Sequence, residues 1–148
     1  MSVEIFGSVT PFTITVASLG SSTTGVGRQS TMVDNSATAY PRVKVLTKIK
    51  LGTSPGANAA IFVYAIRGDG AGLRDDNAGA SDAALTVKNA ELLGSLSTGS
   101  SPSTGDVLTK EFDLVSPGKE FGIAIFQNTG AALDSTAGNH TVEYYGIS

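Results

Sequence analysis

The sequence predicts an all-β fold: one antiparallel β-sandwich domain, jelly-roll-like. Three observations carry this. Of 148 residues, 68 are Gly, Ala, Ser or Thr and only 23 are charged, so strong helix formers are scarce. Apolar residues gather into short runs, several alternating with period two. Gly-, Pro-, Ser- and Asn-rich stretches separate the runs. The length suits a single core.

The clearest strand is residues 42–51. Val43, Val45, Ile49 and Leu51 share one parity, and Arg42, Lys44, Lys48 and Lys50 share the other. Side chains alternate faces along a strand, so one face is buried and the other basic. Residues 52–56, with Pro55-Gly56, end it as a turn. Residues 60–66 are almost continuously apolar, which predicts a strand buried on both faces or one packed under a neighbour. Residues 67–84 are rich in Gly and Asp and predict a long loop. Further strands are expected at 12–16, 92–96, 107–114, 121–127 and 141–147, and a weaker one at 3–6. Within 107–114 the alternation of Val107, Leu108 and Phe112 leaves the inner face open. In 121–127, Phe121, Ile123 and Ile125 face one way, while Gly122 and Ala124 leave the other face small enough for close packing. Residues 82–93 allow a helical turn. Residues 18–39, poor in large apolar groups, read as an ordered loop or as an extended arm that folds against a partner. The expected division is 1–39, arm and first weak strands, and 40–148, sandwich.

The charge is uneven. Residues 40–50 carry +4 within a chain of net charge −3. A basic strand on an acidic chain suits oriented docking, so Arg42, Lys44, Lys48 and Lys50 are the candidate docking residues. The competing reading is a solvated edge strand whose lysines block sheet-to-sheet association. The overall acidity argues against nucleic-acid binding. No apolar run is long enough for a helical membrane span, and Glu4 stands where a secretion signal carries basic residues.

No catalytic set is visible, so the expectation is a non-enzyme without a cofactor. His140 is the one histidine, with no nucleophile-turn motif, and reads as a structural polar residue. Asp69, Asp75, Asp76 and Asp82, with Asn77, form an oxygen-rich loop of the kind that suits Ca²⁺. Their spacing is not that of an EF-hand, and Asp and Asn also cap turns. The favoured reading is therefore no metal. Arg67-Gly68-Asp69 matches an adhesion tripeptide, but three-residue matches are cheap, and the turn chemistry of a strand end, the favoured reading, explains each residue. Tyr144 and Tyr145 must face opposite ways, one toward the core and one toward the surface.

Three segments together, KIKLGTSPGANAAIFVYA (48–65), GASDAA (79–84) and FGIAIFQNTGAALDSTAGNHTVEYYG (121–146), resemble small structural proteins of tailed bacteriophages. Among those, the chain is most similar to jelly-roll capsid decoration (cement) proteins. The resemblance spans roughly residues 42–146. It implies a virion protein on the capsid surface that docks on the major capsid protein and stabilises the shell. It also implies a homo-oligomer, with a trimer favoured, and neither a nucleic-acid nor a membrane partner. The alternative is a tail or baseplate adhesin that binds the host surface.

Overall fold

The computed structural model describes residues 3–76 and 82–148. Among the described residues ten strands form: β1 (Thr10–Pro11), β2 (Val26–Gln29), β3 (Val33–Asp34), β4 (Arg42–Lys50), β5 (Ala60–Gly68), β6 (Ala83–Thr86), β7 (Glu91–Ser97), β8 (Val107–Val115), β9 (Glu120–Gln127) and β10 (Thr141–Ile147). One 3₁₀ turn, Ala137–Asn139, precedes β10. The strands build two antiparallel sheets in a β-sandwich. One sheet has the order β1-β10-β4-β8. The other has the order β6-β2-β9-β5-β7, with β3 end to end with β2 along β9. No two consecutive strands pair with each other among the described residues.

The inner faces follow the apolar parity. Val43, Val45, Ile49 and Leu51 are fully buried and meet Ile61, Val63, Ala65, Phe121, Ile123 and Ile125 of the second sheet. At the centre, Phe12, Phe121 and Tyr144 form a ring cluster with centroids 4.8–6.1 Å apart. Tyr144 is thus the inward member of the tyrosine pair, and burial raises its phenol above the ordinary value. In β8 the inner residues are Phe112 and Leu114. Lys110 shares their parity and obscures the pattern. It sits at the open side of the sandwich, runs over the Phe112 ring, and donates from Nζ to the Ser95 carbonyl of β7 at 2.9 Å. Strand β5 is interior to its sheet, between β9 and β7, and its inward Ile61, Val63 and Ala65 are fully buried, but on its outward face Phe62 and Tyr64 are only half-buried, not covered as expected. Its outward Phe62 and Tyr64 stack with Phe126 of β9.

Several elements differ from expectation. Residues 12–16 are extended but form no regular strand. Phe12 donates to Val142 O in one sheet, and Thr13 O accepts from Thr31 N, next to the other sheet. The segment bridges the two sheets, so it keeps period-two burial without a ladder. Residues 3–6 contribute one bridge, Phe6 with Ile147. Residues 82–93 hold β6 and the start of β7 instead of a helical turn, because Ala83–Thr86 pairs with β2. Residues 26–34, in the stretch read as loop or arm, pair with β9 through β2 and β3. The small face of β9 is filled by the chain itself: Met32 and Ser30 crowd Gly122, and Ala124 packs with Ile66 and Leu85.

Candidate interaction surface

The outward face of the four-stranded sheet holds all four candidate docking cations. Strand register arranges it in rows. Phe6, Ile147, Arg42 and Val115 form one row, Tyr145, Lys44 and Asp113 the next, and Glu143, Leu46 and Glu111 a third. Thr141, Lys48 and Thr109 follow, then Lys50 beside Val107. Directly opposed residues share a face, so β4 cations lie against carboxylates of β8 and of neighbouring segments. Lys44 Nζ is 2.9 Å from Asp113 and 3.9 Å from Glu111. The hydrogen bond to Asp113 chiefly raises the Lys44 ammonium above its ordinary value. Arg42 reaches Glu4 at 3.2 Å, and Lys50 reaches Asp134 at 3.7 Å. Lys48 is exposed and has no carboxylate within 4.0 Å among the described residues. Strand β4 is flanked by β10 and β8, so it is not an edge, and protection of an open edge does not explain its lysines.

A second feature was not visible in the pattern of the chain. Residues 5–7 continue along the β10 edge: Ile5 exchanges hydrogen bonds with Ser148, and Gly7 N donates to Gly146 O. Val3, Ile5, Phe6 and Val9 are each more than half exposed there. Phe6 meets Tyr145 edge-to-face at 5.9 Å. The sequence shows these residues as a weak strand. Only the placement beside β10 reveals that they have nothing to pack under.

The acidic loop does not converge. Asp69 accepts from Ala71 N and Leu73 N in its own turn, and these bonds hold it below the usual carboxylate range. Asp75 accepts from Arg67 N. Asp76 is buried and takes the backbone N–H groups of Lys88, Asn89 and Ala90. Asp82 accepts from Thr15 N and Oγ1 and from Arg28 Nε. Among the described residues no three acids or histidines gather as a metal group. Asn77, and residues 79–81 of the quoted GASDAA segment, lie outside the described residues. In the Arg67-Gly68-Asp69 tripeptide, the Arg67 guanidinium is tied to Ser116 O, Val115 O and Glu91. Arg74 and Glu120 close the loop as a mostly buried ion pair, 2.9 Å apart but without hydrogen-bond alignment.

Burial pulls the Asp82 carboxyl up, but the bonds from Arg28 and Thr15 outweigh it, and the net direction is down. A lowered carboxylate adds stability that is present above the ordinary value, about 3.9, and lost as pH falls through the lower folded-state value. Asp82→Asn is expected to cost about 1–2 kcal/mol at neutral pH, since the pair is partly exposed, and to flatten the acid limb of a urea-stability profile.

His140 links three segments. Lys50 N–H donates to His140 Nδ1 at 3.2 Å, and His140 Nε2 meets Asp134 O at 2.8 Å. Two buried amides do comparable stapling. Gln127 donates from Nε2 to Leu19 O and Ala131 O, and its Oε1 accepts from Thr129 N and Oγ1. Asn35 joins the Tyr40 backbone to Gly118 O.

Comparison with known protein families and with curated proteins yields no match.

Proposed function

We propose that this chain is a non-enzymatic virion structural protein, a capsid decoration protein that docks on the outer face of the major capsid shell. The observation that carries the reading is the exposed apolar strip Val3, Ile5, Phe6 and Val9 at the β10 edge of the four-stranded sheet. Exposed apolar groups gathered at a sheet margin suit protein docking; Phe6, opposite Ile147, belongs to the outward face with the cations, while Ile5, opposite Ser148, alternates to the other face. The phage-like segments supply the context, and a shell of coat subunits is the partner that context implies. Paired cations on the adjoining face make that face nearly neutral in charge, so apolar contact outweighs long-range attraction, and Lys48 is the cation left for a partner carboxylate. Presentation as a homotrimer would multiply weak contacts.

Purified particles of the phage that encodes the chain provide the test. Imaging is expected to place it on the capsid in hundreds of copies. Finding it only in the tail, or not in the particle, defeats the reading. Phe6→Asp is expected to lower capsid occupancy about tenfold or more, because desolvated apolar anchors dominate interfaces. Lys48→Glu should lower it less, and Lys44→Glu mainly through lost intramolecular pairing. Full occupancy with Phe6→Asp would remove the strip from the docking surface.

A further inference from the structure

We propose that His140 is a pH-sensitive latch that fastens the segment 131–139 to the end of β4 and opens on acidification. Three hydrogen bonds close a ring. Lys50 N–H donates to His140 Nδ1, His140 Nε2 bonds Asp134 O, and Asp134 N–H donates to Lys50 O. The imidazole takes the place that a second backbone amide would hold in a strand pair. Both roles of the ring are dictated by its partners. A backbone N–H can only donate, so Nδ1 accepts, and a carbonyl can only accept, so Nε2 carries the proton. The latch therefore closes only around a neutral ring of one tautomer. A second proton goes on Nδ1, turns it into a donor facing the Lys50 N–H, and breaks the ring of bonds.

Among the described residues, the charged groups at the imidazole are Lys50 from β4 and Asp134 from the latched segment. Residues 11–17, which form the adjacent wall of a cavity of about 340 Å³, bring no charge. The Asp134 carboxylate is engaged by Asn139 Nδ2, Thr136 N and Lys50, so it is not free to compensate a protonated ring fully. What the latch holds is substantial. Leu133 is buried in the core, Leu133 N donates to Leu19 O, and Asp134 O also accepts from Ser18 N.

The test is unusually clean because the chain has one histidine. Asp34, Asp69, Asp82 and Asp134 are all held below the usual carboxylate range and stay ionised through the histidine window. Long-range ¹H–¹⁵N spectra of the full chain at about pH 7.5 are expected to show a neutral ring protonated at Nε2. Hydrogen exchange, corrected for intrinsic rates, is compared between about pH 7.5 and about pH 5.5. Peptides covering residues 48–52 and 131–141 should lose protection about tenfold at the lower pH, the loss expected for one backbone bond. His140→Gln keeps a donor and an acceptor but does not titrate, and it should show equal protection at both pH values. An Nδ1-protonated ring, unchanged protection of the wild type on acidification, or the same loss in His140→Gln each overturns the latch. If that variant does not fold, the wild-type tautomer and exchange data decide alone.

Discussion

Replacing Phe121 with Ala is expected to cost about 3–5 kcal/mol of folding stability, the range for deleting a fully buried aromatic ring. Phe121 is among the largest fully buried side chains. Its ring is held edge-on by Phe12 at 6.1 Å and by Tyr144 at 5.3 Å. Those partners come from the bridging segment and from β10, while Phe121 belongs to β9. Truncation therefore leaves a void where both sheets and the bridge meet. Urea denaturation of the variant should show a lower midpoint with an unchanged slope. A cost under about 1 kcal/mol would mean that the three-ring cluster is not the centre of the core.

Replacing Asp76 with Ala should rank second, at about 3 kcal/mol. The carboxylate is 4% exposed and is the acceptor for three successive backbone N–H groups, at Lys88, Asn89 and Ala90. Removing it strands buried donors, and each orphaned donor costs about 1–3 kcal/mol unless water reaches it. Partial access of water to the freed amides of Lys88, Asn89 and Ala90 is expected to keep the sum near the value for one to two donors. The loss should be local first. Amides 87–90 are expected to exchange faster while those of β4 and β9 hold their protection, which hydrogen-exchange mass spectrometry can resolve. Equal acceleration across the whole chain would contradict a role confined to this turn.

The strands with strict parity were legible in the chain. Val43, Val45 and Ile49 alternate with basic residues, and hydrophobic period alone fixes their direction. The β8 face was not, because Lys110 occupies an inner-parity position and escapes along the open side of the sandwich to Ser95 O. Such an escape depends on being next to an edge, which no local pattern records. Residues 12–16 show the converse. Their period-two burial is real, but strand assignment requires a ladder partner, and theirs are split between two sheets. On the candidate surface, the positions of Arg42, Lys44, Lys48 and Lys50 on one outward face followed from spacing. That Asp113, Glu4 and Asp134 neutralise three of them did not, since those carboxylates arrive from segments far away in the chain. The exposed strip at Val3–Val9 was equally invisible: apolar side chains look the same in sequence whether or not anything covers them. In the Asp loop, closeness along the chain is not convergence in space, and the turn-capping chemistry of Asp accounts for it. Four acids close in sequence face four different backbone partners in space.

That no consecutive strands pair among the described residues has a consequence in time. A sheet made of hairpins can begin by zipping neighbours together, but in this fold, among the described residues, no two consecutive strands form such a ladder, and the local pairing within residues 67–75 amounts to one bridge, Gly68 with Arg74. Its most local ladder joins β5 to β7, where the chain must loop from Ala65 to Glu91 before the first contact forms. The β4–β8 ladder starts with Lys50 meeting Val107, and β10 must return from Thr141 to Lys48. Each closure loses chain entropy before any contact compensates for it. Folding is thus expected to take on the order of milliseconds to seconds, as for other sheets built from distant segments. The same interleaving works in reverse once the chain is folded. No strand can leave without breaking a ladder to a segment far along the chain, so a cut in one surface loop should leave two fragments still clasped together.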